Sequence, residues 1–217
     1  MSNTLIAALA VLFAYLLGSV PFAVVCSRLF GLADPRSYGS KNPGATNVLR
    51  SGNKAAAATT LVGDMAKGWL AVFLAQTYGA DYGFADGLTV FVALAVFFGH
   101  LYPVFLKFKG GKGVATAAGV LLAIDPRLGL AVLVCWLAIA VLLRYSSLAA
   151  LLSAAAAPLF AFFLWGSDVR LLAVGLIAMA LIGKHWQNLQ RLMAGTEPKI
   201  GGKKSGQVPV LRSGKRS

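Results

Sequence analysis

The sequence predicts an all-α, polytopic membrane protein of seven transmembrane helices, with its N-terminus outside the cell and its C-terminus in the cytoplasm. Three observations carry that reading. Apolar stretches follow one another along almost the whole chain, 58% of the 217 residues are hydrophobic and only 12% charged, and the cations gather in alternate connecting segments. The charged share is about half that of an average soluble domain, so a solvent other than water must cover much of the surface.

In order, the apolar runs span about 5–27, 55–75, 88–106, 113–124, 128–143, 148–165 and 171–183. Crossing about 30 Å of hydrocarbon takes about 20 residues of helix, which the first, second, third and sixth runs supply. The first lacks a positively charged leader and is followed by further spans, so it reads as a retained helix and not a signal peptide. The fourth run is closed by Asp125-Pro126-Arg127 and starts only near Lys112. It is therefore a half-depth span of about 18 to 20 Å whose glycine-rich start lies below the membrane surface, beside a polar pocket. The seventh is expected to run on as one helix through His185 to about Met193.

Orientation follows from the cations. With the N-terminus outside, Arg28, Arg36, Lys41, Arg50, Lys54, Lys107, Lys109, Lys112, Arg144 and the eight from Lys184 to Arg216 are cytoplasmic, whereas only Arg127 and Arg170 are external. This is a strong positive-inside asymmetry. The net charge of +13 would suit nucleic acid, but its placement between apolar spans argues against that partner and for anionic lipid headgroups. Cys26 and Cys135 have no metal-ligand spacing and read as small buried hydrophobes. Residues 1–200 form one membrane domain, and the Gly-, Ser- and Lys-rich 201–217 read as a basic, disordered cytoplasmic tail.

Three cytoplasmic stretches mix glycine, small polar residues and cations, the composition that binds phosphate. In YGSKNPGATNVLR, Tyr38 to Arg50, Gly44 shapes the turn, Ser40, Asn42, Thr46 and Asn47 offer donors, and Arg50 offers a bidentate fork. An ordinary polar turn is the alternative. In KFKGGKGVAT, Lys107 to Thr116, glycines at 110, 111 and 113 let backbone N–H groups approach an anion, and Lys109 and Lys112 add full charges at a helix start. A plain glycine hinge is the alternative; a Walker A loop is not, because Leu106 and Gly113 stand where that pattern needs Gly and Ser or Thr. In KHWQNLQRLMAGTE, Lys184, Asn188 and Arg191 share a helical face with His185, although a histidine beside Trp186 also suits an interfacial anchor. Asp64 and Lys67 lie one turn apart inside the second span, as a structural ion pair or as a pocket wall.

These three stretches, with GSVP from Gly18 to Pro21 and RYSS from Arg144 to Ser147, resemble the bacterial acyl-phosphate:glycerol-3-phosphate acyltransferases of the PlsY type. The resemblance runs in order along nearly the whole chain, and the tail after Glu197 is the one stretch outside the pattern. It implies a seven-helix enzyme of the bacterial inner membrane that moves a fatty acyl group from acyl phosphate to the 1-hydroxyl of glycerol 3-phosphate, the first acylation of phospholipid synthesis. It implies no cofactor and no metal, and a transient contact with the soluble enzyme that supplies acyl phosphate. Carried over by position, the catalytic residues are Ser40, Arg50, His185 and Asn188, the phosphate loop is Gly110, Gly111 and Gly113, and Glu197 is structural. Asn42, Gly44, Thr46, Asn47, Lys109, Lys112, Ser147 and Lys184 complete the expected substrate contacts.

Other acyltransferases pair a histidine with an aspartate five residues on; here Phe105 follows His100 and Gln190 follows His185 at that offset. The expected mechanism is therefore direct attack by the glycerol hydroxyl without an acyl-enzyme. Cationic loops at membrane depth also suit a permease for a small phosphorylated metabolite, and the basic tail a docking protein.

Overall fold

The computed structural model describes residues 2–84 and 86–201; residues 202–217, assigned above to a disordered tail, lie outside the described residues. Within them the chain is all-helical. The helices are α1 (Asn3–Ser19), α2 (Phe22–Leu29), a short α3 (Ala45–Leu49), α4 (Lys54–Gly79), α5 (Asp86–Leu101), α6 (Val114–Ile124), α7 (Pro126–Leu143), α8 (Ser146–Trp165), α9 (Arg170–Lys184) and α10 (Trp186–Met193).

Local chemistry sets these limits. Asn53 caps α4 by accepting the Ala56 N–H at 3.0 Å, and Asp125 caps α7 with Pro126 at its first position. The first apolar run is not the single helix expected: it breaks at Val20-Pro21 and turns by 44°. Proline has no N–H to continue the ladder, so the chain bends there. The last run also breaks, at His185, where φ −97° and ψ 9° leave the helical region and separate α9 from α10.

Three helices are long and apolar enough to cross a bilayer alone, α5 with its following turn to Leu106, α7 and α8, and the bent α1–α2 pair makes a fourth. The other expected spans miss that standard for physical reasons: α4 carries Asp64 and Lys67 among its 26 residues, α6 has 11 residues and α9 has 15. At about 1.5 Å per residue α6 rises only about 16 Å, so its glycine-rich entrance is set deep beside the neighbouring helices.

Apolar side chains also point outward, with Leu142 78% and Phe163 83% exposed, as a lipid solvent requires. Inside, packing relies on small residues. Ala149, Ala150, Ala154, Ala157 and Ala161 are buried along α8. Gly119 of α6 lies against the Met65 carbonyl and Gly68 of α4 against the Thr116 carbonyl, so backbone meets backbone and neither site has room for a methyl group. At the end opposite the three polar stretches, the Trp165 indole N–H donates to Asp125 at 2.9 Å and its ring lies under the Arg170 guanidinium at 4.5 Å, tying α7, α8 and α9 together.

Gly119→Ala is expected to cost about 1 to 3 kcal/mol, because the opposing group is backbone and cannot turn aside. Gly175, with open space around it, is the control. Thermal unfolding in detergent should show a lower midpoint for Gly119→Ala and little change for Gly175→Ala.

Candidate active site

The polar stretches converge where α4, α6 and α8 begin and where α5, α7 and α9 end. The first loop is built around Asn47. Its amide N–H groups donate to the Pro35 carbonyl at 2.6 Å and the Tyr38 carbonyl at 3.2 Å, and its oxygen accepts the Ser40 N–H at 3.0 Å. Asn47 is buried, and its amide is engaged by three backbone groups of a tight loop. Gly39 sits at φ +57°, where a Cβ would strike the Asn47 oxygen. Gly44 caps α3, its carbonyl accepting the Asn47 N–H at 2.9 Å. Asn42 is half-buried before it, and Ser40 is exposed. Arg50 is half-buried, with one N–H 3.4 Å from the Asn47 oxygen. Arg36, by contrast, is spent on Asp34 at 2.6 Å. The Thr46 hydroxyl meets Ser146 at 3.5 Å, joining this loop to the start of α8.

The glycine loop reverses direction through Lys107 and Phe108, both left-handed at φ 52° and 62°. It then folds back onto the end of α5. Gly110 N–H donates to the Leu101 carbonyl at 3.3 Å and Gly111 N–H to the His100 carbonyl at 3.2 Å. The last carbonyls of α5 have no helical partner, and these two amides meet them. Past Gly113, at φ +85°, the first turn of α6 presents the N–H groups that a helix start leaves open, beside Lys112. Lys109 is exposed.

The third stretch closes the site. The His185 Nδ1 faces the Leu181 carbonyl at 2.9 Å, and as donor it leaves Nε2 an acceptor. The imidazole is buried. Asn188 bridges the halves: its oxygen accepts from the Lys112 ammonium, and its N–H donates to Glu197 at 2.6 Å. Glu197 also accepts from Ser147 at 2.6 Å and from Arg191 at 2.7 Å. Burial alone would raise the Glu197 pKa, but these three donors hold it below the ordinary value. Lys112 is pushed down to about 8, first by burial and then by the positive charges of Arg191 and Arg50 against the opposing pull of Glu197. Lys184 does not join this face. The break at His185 turns it away, so that its ammonium donates to the Leu101 carbonyl at 3.2 Å and lies 4.2 Å from the Tyr102 ring centre.

Two side chains outside the expected set are drawn in. Arg191 anchors Glu197, and His100 approaches the Asp64–Lys67 pair. Asp64 lies 2.8 Å from the Lys67 ammonium and 3.3 Å from His100 Nδ1. A signal for His100 existed: an ion pair inside a span calls for further polar partners at the same depth.

The fold defines an all-helical membrane protein, with a cationic cluster gathered at one end of its bundle. The family model described as glycerol-3-phosphate acyltransferase matches residues 8–195. A glycerol-3-phosphate acyltransferase of Dechloromonas aromatica is 66% identical over 197 residues, 91% of this chain and 98% of that protein. One of Paraburkholderia phymatum is 58% identical over 96% of this chain and 97% of its own length. A crystal structure of PlsY (YgiH), an integral membrane glycerol 3-phosphate acyltransferase in its glycerol 3-phosphate form, superposes with a TM-score of 0.82 at 40% identity, covering 90% of this chain and 96% of that one. Its lysophosphatidic acid form gives 0.80 at 39% identity, covering 94% and 98%. The chain belongs to the glycerol-3-phosphate acyltransferase family of integral membrane enzymes. The permease reading finds no support among these relatives.

Glu197→Ala would strand the buried Ser147 and Asn188, each unmet buried donor costing about 1 to 3 kcal/mol, and would release the half-exposed Arg191 to solvent. The thermal midpoint should fall by several degrees at neutral pH. Because the folded carboxyl has a lowered pKa, its contribution is complete above its unfolded value of about 4.5 and is lost as pH falls through the folded one. The wild-type and Glu197→Ala melting curves should therefore draw together on acidification.

Proposed function

We propose that the chain transfers a fatty acyl group from acyl phosphate to the 1-hydroxyl of sn-glycerol 3-phosphate, giving lysophosphatidic acid and inorganic phosphate, at the cytoplasmic face of the bacterial inner membrane. The observation that carries this reading is the meeting of the charges of Arg50, Lys112 and Arg191 with His185, Asn188 and Glu197 at one end of the bundle. The positive-inside distribution of cations supports seven spans with the N-terminus outside, counting α4, α6 and the α9–α10 unit as crossings.

Lys112 and the first turn of α6 hold the phosphate of glycerol 3-phosphate, and Arg50 stabilises the charge that develops on the leaving phosphate. Lys109 stands at the rim and meets the substrate before it enters. His185, its tautomer fixed by Leu181, orients the glycerol by accepting a hydrogen bond from its non-reacting 2-hydroxyl through Nε2, and Asn188 keeps Lys112 in register with it. The 1-hydroxyl oxygen attacks the acyl carbon, and the bond from that carbon to the phosphate oxygen breaks. The hydroxyl proton passes to a phosphate oxygen, and phosphate departs. Acyl phosphate is a mixed anhydride with a good leaving group, so a strong protein base is less necessary than for an ester. Ser40 is exposed, and Asn47 holds its backbone N–H and not its hydroxyl, which favours a binding role over a nucleophilic one. The acyl chain lies along apolar helix surfaces open to the bilayer, and the soluble donor enzyme delivers acyl phosphate to the same cationic face.

Purified protein assayed with acyl phosphate, acyl-CoA and acyl carrier protein thioester should form lysophosphatidic acid efficiently from acyl phosphate alone. Equal rates with a thioester would overturn the donor assignment, and trapping an acylated Ser40 or His185 after rapid quench would overturn direct attack.

Lys112 gives a pH test. It is cationic below about 8 and loses its charge above that, so kcat/KM for glycerol 3-phosphate should fall as pH rises through about 8. Lys112→Arg should move this descending limb to higher pH, since guanidinium keeps its proton there. An unmoved limb would assign the titration elsewhere.

A further inference from the structure

Below the glycine loop lies a group of titratable side chains that the proposed reaction does not use. Asp64, Lys67 and His100 are all buried. The Lys67 ammonium contacts Asp64 at 2.8 Å and donates to the Val20 carbonyl, also at 2.8 Å. The Asp64 carboxylate in turn lies 3.3 Å from His100 Nδ1. The far edge of the imidazole presses on Gly111. A Cβ at Gly111 would collide with Nε2 and stand 3.0 and 3.2 Å from the two adjoining ring carbons. His100 thus meets the loop twice, through its ring and through the carbonyl that accepts the Gly111 N–H at 3.2 Å. A small cavity lined by Asp64, Lys67, His100, Gly110 and Gly111 extends to Pro43 of the first loop.

The loop needs such support. Lys107 and Phe108 hold left-handed conformations that ordinary side chains adopt at a cost, so the surrounding structure must fix the path between α5 and α6. Lys112 carries its charge on a flexible stem, and where that charge lies depends on where the backbone is pinned. We infer that His100, oriented by Asp64 and Lys67, is a positioning residue that sets the height of the Gly110–Gly113 backbone and thereby aims Lys112 and the first turn of α6 at phosphate. This rests on the reading of that loop as the phosphate site.

The variant His100→Asn tests it. The asparagine amide can take the place of Nδ1 toward Asp64 but leaves the ring edge against Gly111 empty. With acyl phosphate saturating, KM for glycerol 3-phosphate should rise about tenfold or more while kcat changes much less, as expected when a backbone shift misplaces a bound group. The melting midpoint should stay near wild type. His100→Gln, which reaches the Nε2 position, should recover most of the affinity. Gly111→Ala should raise KM alone but add little to His100→Asn, because the steric partner is already gone.

A folded His100→Asn protein with wild-type KM, or additive effects of the two substitutions, would overturn the inference. So would equal losses of KM, kcat and stability in both His100 variants, the signature of a purely structural role. Should His100→Asn fail to fold, folded Gly111→Ala decides alone: a wild-type KM sinks the inference and a tenfold rise supports it. Lys112→Ala separates the two levels. If it leaves KM unmoved, the phosphate-site reading itself fails; if it raises KM while His100→Asn is silent, only the positioning role fails.

Discussion

The buried Asp64–Lys67 pair is the constraint around which the rest of this bundle is arranged. A charge buried in the interior of a membrane protein is expensive, and these two are tolerated because each finds the other at 2.8 Å and then finds more. Lys67 reaches the Val20 carbonyl at the bend before Pro21, where that oxygen also accepts the Phe22 N–H at 3.2 Å, and Asp64 reaches His100 near the end of α5. One ion pair therefore joins α4 to the broken first span and to α5. The bend that Pro21 forces and the polar content that keeps α4 from being a simple apolar span are two sides of one arrangement.

Close packing carries this arrangement to the site. The contacts of Gly68 and Gly119 bring α4 and α6 backbone to backbone, so the depth at which α6 starts is set by the helix that bears the ion pair. The 11-residue length of α6 then leaves room below it for the Lys107–Gly113 loop. On the other side, the break between α9 and α10 puts His185 at a corner instead of on a helical face. That corner lets its ring cap the Leu181 carbonyl while Asn188, on the next helix, turns toward Lys112.

Much of this was legible in the sequence, and the limit is instructive. Apolar runs announced an all-helical membrane protein, and Asp125-Pro126 and the glycines bounded the short α6. The composition of the three stretches named the groups able to bind phosphate. It could not say which of them the backbone would claim. Asn47 has the chemistry of a ligand donor and is engaged by Pro35, Tyr38 and Ser40, and the amides of Gly110 and Gly111 close the end of α5. Lys184 was placed on the polar face by a periodicity that the break at His185 interrupts. Each difference has the same origin: orphan backbone groups at helix ends compete for polar side chains, and that competition depends on which ends meet, a tertiary fact.

The electrostatics of the site follow from the same burial. Arg50, Lys112 and Arg191 gather with a single carboxylate, Glu197, so with Lys112 protonated these four groups carry a surplus of two positive charges. Lys112 feels the surplus most directly, its pKa pushed down to about 8 by burial and by its cationic neighbours. A phosphate monoester dianion brings the complementary charge. Once it is in place, the repulsion that loosens the Lys112 proton is offset, and the ammonium is held more firmly than in the free site. Binding the substrate and keeping the cation charged are thus coupled: the groups that destabilise one another in the empty cluster become mutually tolerable around the anion. This differential favours retention of a phosphate dianion over a neutral alcohol or a monoanion of similar size.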